Sequence, residues 1–496
     1  MARSRRLVST LVAAGLCLPA AWSSAPISHA AGCTSGNEVA GDLNSDGRAD
    51  VIVGVPSWNN DRGAIDVLFS DGTRSFRTAA SLGLSSAPGD RFGESVASAD
   101  LNNDGCADLA VGAPGHSSSK GRVSLLFGRA DDSLALGSTV NGTAAHGSFG
   151  AQVVLLTTQK LTPGGYLRTG QQLVASAPTA DEGSVWESGQ VVVQPLTSAG
   201  APAAGKVTLT QNSAGVPGTS ENGDRFGTAL AGQGRTIVIG TPNEAVGSKT
   251  AAGSVTLLSA TEAKPTTFAG VAITQNSSGV PGTAETNDQF GSAVAFRDHY
   301  VLVGAPGETI GSAKSTGQVH ILNFNPATRG YRSLRAVSQN SAGIPGSDES
   351  GDYFGSSVAL GINTVDQLTA IVGAPGEAIG SVLGAGSVTM FRANRSGGLT
   401  KTVRQGAGGV AGTPEAADHF GWSVSVLGGQ PDDGEAMRDG VVIGAPGEDI
   451  GTIGDAGSVT YSRNAGNWFS LLLEDTGAAD LPADAAFGES LASVNG

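Results

Sequence analysis

Phe92-Gly-Glu-Ser-Val-Ala-Ser-Ala-Asp100-Leu-Asn-Asn-Asp-Gly-Cys-Ala-Asp108-Leu-Ala-Val-Gly112-Ala-Pro114 decides how the rest of the chain is read. A Phe-Gly pair opens it, and a short strand-like run follows from Ser95 to Ser98. Asp100 to Asp108 is crowded with side-chain oxygens. Leu109 to Val111 is apolar again, and Gly112-Ala113-Pro114 ends the segment. Two short β runs around an oxygen-rich turn make a hairpin whose turn is suited to a hard cation.

The same parts recur in register. Phe-Gly stands at Phe92, Phe149, Phe226, Phe290, Phe354, Phe420 and Phe487, spaced by 57 to 77 residues. A Gly-Ala-Pro-like triplet begins at Gly54, Gly112, Ser176, Gly240, Gly304, Gly373 and Gly444. After each triplet come a short loop, a Gly and a strand, as in Gly121 to Phe127 and Gly317 to Leu322. A less regular fourth strand closes the unit, such as Tyr331 to Val337. Four antiparallel strands at this period read as propeller blades. The two ends of the chain are complementary fragments. The first triplet lacks a preceding Phe-Gly, and the last Phe-Gly lacks a triplet. Phe487-Gly-Glu-Ser-Leu-Ala-Ser repeats Phe92-Gly-Glu-Ser-Val-Ala-Ser almost letter for letter. The expectation is therefore an all-β, seven-bladed β-propeller of four-stranded antiparallel blades, its ring closed by the C-terminal strand. Closure leaves no open sheet edge at the seam. A solenoid would need capping repeats at both ends instead.

Phe-Gly-x-Ser-Val, then Asp-x-Asn-x-Asp-Gly-x-x-Asp, then Gly-Ala-Pro resembles the FG-GAP repeat. That repeat builds the propeller of integrin α-chain heads and of many secreted bacterial proteins. The resemblance runs over nearly all of the chain after its leader. It implies the fold and leaves the ligand open, because function sits in loops.

Two loops carry the cation signal: Asp42, Asn44, Asp46, Arg48 and Asp50, and Asp100, Asn102, Asp104, Cys106 and Asp108. Side-chain oxygens stand at positions 1, 3, 5 and 9, a backbone carbonyl is available at 7 (Arg48, Cys106), and Gly at 6 permits the sharp turn. Hard oxygen donors in a flexible loop favour Ca²⁺, giving two expected sites. The alternative is an ion-free Asx turn. Asp432, Asp433, Glu435 and Asp439 in the seventh unit stand out of register and mark an outside candidate for a third.

Acidic residues also recur at Glu244, Glu308, Glu377 and Glu448, and in the pairs Glu221/Asp224, Glu285/Asp288, Glu349/Asp352 and Glu415/Asp418. A cationic ligand is one reading; turn residues accepting backbone N–H groups is the stronger one. Loops that break the repeat contain Trp58, His116 and Trp186. These are candidate ligand-binding residues, able to stack on a sugar or anchor a peptide; packing between blades is the other reading of the Trp side chains.

Composition agrees with this class. The 496 residues include 75 Gly, only 15% are charged, and the net charge is −15. Many short strands joined by tight turns fit that profile, whereas collagen and general disorder do not. An acidic surface disfavours nucleic acid and anionic lipid. Residues 1–30 read as a secretory signal peptide: Arg3, Arg5 and Arg6, an apolar run, then small residues before Ala31. No later stretch is long enough to span a membrane. Residues 31–496 then form one propeller domain, secreted, extracellular or wall-associated, and expected as a monomer. Cys33 and Cys106 remain after export, either as one disulfide or as two free thiols. No nucleophile elbow or His–acid pairing is evident, so an enzyme is not expected. The function read from the sequence is calcium-dependent binding of an extracellular protein or glycan, as in adhesion. The alternative is an extracellular hydrolase with its site in the propeller's central depression, marked by three convergent polar residues there.

Overall fold

The computed structural model describes residues 32–33, 39–162, 165–362, 367–395, 400–429, 439–463, 466–473 and 484–494. The expected leader and Asp432, Asp433 and Glu435 lie outside them. Seven sheets stand around an axis, six of four antiparallel strands and one of five, whose fifth strand is joined in parallel. Blade 5 shows the plan. Ala293–Arg297 lies innermost and pairs with Tyr300–Ala305, which pairs with Gln318–Asn325, which pairs with Gly330–Val337 at the rim. The second strand, YVLVGA, is apolar and almost wholly buried because neighbouring blades cover both of its faces. The rim strand is half-buried and mixes Arg, Ser and Tyr with apolar residues.

Blade 1 is completed by the end of the chain. Ser490–Leu491 pairs antiparallel with Val51–Val55, Gly54 opposite Ser490. The chain then continues beyond what the sequence suggested. Ser493–Val494 runs parallel to Val96–Ala99 of blade 2, so the same tail pairs with two blades.

The buried apolar side chains of the described residues fall into seven clusters, each between two neighbouring blades and each holding one Phe of a Phe-Gly pair. These seven rings are 0–3% exposed. The backbone explains their placement. The residue before each Phe is left-handed, with φ of 51–57°. This turns the Phe N–H toward the preceding blade, where it donates to a loop carbonyl: Phe92 to Arg62, Phe354 to Thr316, Phe487 to Ala456, and likewise in the other four. A Gly follows each of those carbonyl-bearing residues, as Gly317 follows Thr316. Its φ is 83°, and a Cβ there would lie 2.1 Å from the Phe354 carbonyl oxygen. Only Gly allows both the conformation and the approach.

Phe354→Ala should cost about 3–5 kcal/mol in denaturant unfolding, as for a large buried ring. Deleting residues 487–496 should leave the inner edges of blades 1 and 2 unpaired and produce aggregation or loss of a single cooperative transition. A truncated chain as monomeric and stable as the full one would refute the closure.

Candidate functional site

The inner strands line an axial channel. One mouth opens into a cavity of about 250 Å³, lined in six blades by the residue that follows Phe-Gly and in blade 3 by Gln152. In blades 3 to 6 the residues after Phe-Gly are small: Ala151, Thr228, Ser292 and Ser356. In blades 7, 1 and 2, consecutive around the ring, they are Trp422, Glu489 and Glu94. Trp422 is 48% exposed and meets His419 edge-on, ring centroids 5.7 Å apart.

One guanidinium holds the two carboxylates. Arg91 Nε donates to Glu94 Oε2 at 2.6 Å and Nη2 to Glu489 Oε1 at 2.7 Å. Nη1 reaches Asp61 Oδ1 at 3.3 Å, and Ser57 Oγ donates to Glu489 Oε2 at 2.8 Å. Asp61 ends a loop in which Asn59, Asn60 and Asp61 are all left-handed, φ 55–57°. Such a run of non-glycine residues costs on the order of 1 kcal/mol apiece and persists only where surroundings hold it. Here the Arg91 N–H donates to the Asp61 carbonyl at 2.7 Å. Burial raises the pKa of Glu94, with the Arg91 charge opposing it.

The opposite mouth is different. Arg297 lines it and pairs with the buried Asp439 at 2.6 Å, which also accepts the Ile362 N–H at 2.8 Å. This carboxylate, one of the four set aside for a third cation site, is engaged by a guanidinium.

The three aromatic candidates have separate surroundings. Trp58 meets Phe76 of its own blade edge-on at 5.4 Å. His116 Nδ1 lies 3.1 Å from Asp90 Oδ2. Trp186 is 54% exposed.

In the first cation loop, Asp42, Asn44 and Asp50 are buried. Asp42 accepts the N–H groups of Asp46 and Gly47, and Asp50 those of Leu43 and Ser70. The second loop repeats this: Asp100 accepts from Asn103 and Gly105, Asp108 from Leu101 and Gly128. Burial, aided by repulsion from Asp46, lifts Asp42 to about 6. Burial, aided by Asp100 and Asp104, lifts Asp108 to about 8, and Asp50 also lies well above the usual range. Buried carboxylates that repel one another, all hard oxygen donors, fit a Ca²⁺ ion. Arg48 and Cys106 stand where a backbone carbonyl is wanted. The Cys106 side chain is bonded to Cys33, with Cα atoms 5.4 Å apart. Asp104 lies beside these sulfurs, but bonded sulfurs supply no thiolate ligand.

Comparison with known proteins agrees with the repeat. Models described as FG-GAP repeat match residues 38–68 and 92–126, and again 274–322. Human integrin alpha-IIb is 35% identical over 130 residues, 24% of this chain and 12% of that protein. Drosophila melanogaster integrin alpha-PS5 is 46% identical over 82 residues, 15% of this chain and 8% of that protein. The chain thus spans about a tenth of the length of these relatives. Among solved structures, a putative 6-phosphogluconolactonase from Bacteroides uniformis aligns over 88% of this chain and 97% of its own, at 11% identity and TM-score 0.47. The Pseudomonas aeruginosa periplasmic gluconolactonase aligns over 85% and 94%, at 12% identity and TM-score 0.43. The chain is a β-propeller carrying FG-GAP repeats. Among the described residues no helix is long and apolar enough to cross a membrane.

The expectation that the protein is not an enzyme is corrected here. The axial mouth holds convergent polar side chains, Glu94 and Glu489 fixed by Arg91, of the kind the hydrolase alternative calls for. A search for local motifs missed them, because Trp422, Glu489 and Glu94 meet only through the ring. Reading the residue after Phe-Gly from repeat to repeat would have isolated them.

The raised carboxyls set a pH dependence. Their stabilising contribution is fully present below the unfolded carboxylate pKa, near 4, and is lost as pH rises through about 6 for Asp42 and about 8 for Asp108. The melting temperature of metal-free protein should therefore fall between pH 5 and pH 8.5, and Asp108→Asn should shrink that fall. A flat or rising profile in metal-free protein would contradict it.

Proposed function

We propose that the protein is an extracellular hydrolase acting on a small polyhydroxylated, sugar-derived substrate at the axial mouth. The observation that carries this reading is the replacement of small residues by Trp422, Glu489 and Glu94 on three consecutive blades, with both carboxylates fixed by Arg91. An aromatic face packs against the C–H face of a sugar, and fixed carboxylates accept its hydroxyl groups. Glu94, with its raised pKa, exchanges a proton closer to neutrality than an ordinary carboxylate. In hydrolysis it takes a proton from the attacking water as the water oxygen bonds to the electrophilic carbon. The same proton then passes to the oxygen of the breaking C–O bond. Arg91 orients both acids, and Asp61 orients Arg91.

Ca²⁺ is proposed for the two loops, held by Asp42, Asn44, Asp46 and Asp50 and by Asp100, Asn102, Asp104 and Asp108, with the carbonyls of Arg48 and Cys106. It would stiffen blades 1 and 2, which carry Glu489 and Glu94. The expected leader and the Cys33–Cys106 disulfide support action outside the cytoplasm. Binding of a protein or glycan without turnover is the second reading. The exposure of Trp186 and the partial likeness to integrin α-chains favour it.

The test is turnover of sugar lactones and chromogenic glycosides, followed by acid release or colour. Glu94→Gln should lower kcat by about 10²-fold or more, and Trp422→Ala should raise KM while Lys264→Ala, on the exposed rim strand of blade 4, leaves both unchanged. No turnover by the wild type, with saccharide binding that Trp422→Ala abolishes, would replace the hydrolase reading by the second one.

A further inference from the structure

Blade 3 departs from the common plan on the side of the ring away from the Phe-Gly turns. Its two inner strands, Val153–Thr162 and Gly165–Ala177, have 10 and 13 residues, whereas the innermost strands of blades 4 to 7 have 5 or 6. The long hairpin also shifts register between Thr158 and Gln159. A tight turn follows the third strand of this blade. Thr197 Oγ1 accepts the N–H groups of Ala199 and Ala201 there, at 3.3 and 3.1 Å. Gly200 is left-handed, φ 70°, and a Cβ on it would lie 2.8 Å from Phe127 Cε1 and 3.1 Å from Leu101 Cβ. The turn is therefore pressed against blade 2.

Between this turn, the long hairpin and the second cation loop lies a cavity of about 300 Å³, at the lower end of the range for small-ligand sites. Asn103, Thr169, Gln171, Leu196, Thr197 and Ser198 line it, and among the side chains described there none is charged. Leu196 and Gln171 are buried, 8% and 7% exposed, and form the floor. The other four are exposed and form the walls. Gln171 Nε2 donates to the Asp100 carbonyl at 3.1 Å. A carbonyl can only accept, so this contact fixes which end of the amide is which. It leaves Oε1 as an acceptor without a donor. Asn103 stands at the rim in a left-handed conformation, φ 62°, its N–H held by Asp100 Oδ1 at 2.6 Å.

A buried acceptor left without a donor is unfavourable, and a ligand that supplies the donor recovers that loss. The lining separates the kinds of molecule that could do so. A charged group would meet no countercharge. An apolar molecule would cover Leu196 and leave Gln171 Oε1 unpaired. A ring that carries hydroxyl groups on an aliphatic frame serves both, with an O–H donated to Oε1 and its C–H face on Leu196. Thr197, whose oxygen already accepts two N–H groups, has a hydroxyl proton to offer in return. We propose that this cavity binds a neutral saccharide unit, with Gln171, Asn103 and Thr197 as its hydrogen-bonding residues and Leu196 as its apolar floor. The site is separate from the axial mouth, at the opposite ends of the strands of blades 2 and 3, and its occupation requires no turnover.

Isothermal titration calorimetry of the full-length mature protein with glucose, galactose, mannose and N-acetylglucosamine tests this. Trp422→Ala serves as the background, because it removes the aromatic face of the axial mouth. The expected result is that this background still binds at least one of the four sugars, with Kd in the millimolar range. Asn103→Gly suits the left-handed backbone and keeps the fold; it should weaken that binding about fivefold to tenfold. Ser198→Trp, at an exposed position, should fill the cavity and abolish binding, as should Gln171→Met, which is close in volume and has no amide. Either of two results overturns the proposal: no heat from any of the four sugars up to about 10 mM, which would leave water alone in the cavity, or binding unchanged by Ser198→Trp. Whether the axial mouth turns over a substrate bears on neither result.

Discussion

The hydrogen bond from the Phe N–H of each Phe-Gly pair to the preceding blade is the contact on which the ring depends. It is a backbone contact, so it fixes the spacing of neighbouring blades regardless of their loops. The Phe ring fills the gap that this spacing creates. Side chains elsewhere in the blade are then free to vary. Among the described residues the apolar core is divided among seven equivalent seams, each with its own cluster. Nearest-neighbour cohesion of this kind usually gives an open array. Here the last strand turns the array into a ring by entering the first blade.

The repeated parts of the chain were legible because repetition amplifies a weak signal. Phe-Gly, the Gly-Ala-Pro triplet and the Gly ahead of the third strand are backbone requirements, and residues that meet backbone requirements recur unchanged. The closing strand was legible for the same reason, through Phe487-Gly-Glu-Ser. The cysteine pairing, left open by the sequence, is a disulfide. The parallel pairing of Ser493–Val494 was hidden because it involves two residues and mostly backbone atoms. The axial residues Trp422, Glu489 and Glu94 were hidden because they belong to blades joined across the closure, far apart along the chain. Trp58 illustrates the opposite difficulty. Its loop breaks the repeat, yet the ring lies against Phe76, and burial of that kind leaves no mark in sequence.

The two faces of the ring differ in their electrostatics. On the Phe-Gly side, buried acids recur at junction after junction and are lifted toward neutrality, among them Glu244, Glu308 and Glu448, each to about 7. Burial is the leading cause in each case, and like charges nearby strengthen it. Guanidinium compensation occurs at the seam where blades 1 and 2 meet, through Arg91, and again where blades 3 and 4 meet, through Arg225 and Glu187. The first of these seams carries the strained loop from Asn59 to Asp61. Ser117 to Ser119 repeat that left-handed run at the next seam, so what singles out the first seam is the pairing of Glu94 and Glu489 by one guanidinium at the open mouth.

The closing strand also has a consequence in time. Val51–Val55 emerges early from the ribosome, while its partner Ser490–Leu491 emerges at the end. At 5–20 residues per second, synthesis of the intervening chain takes on the order of tens of seconds. Throughout that interval the first blade exists only as an incomplete sheet, so the ring cannot lock while the chain is still being made. A chain threaded through an export channel must stay unfolded until it is across. A domain whose opening residues wait for its closing ones supplies that delay from its own topology.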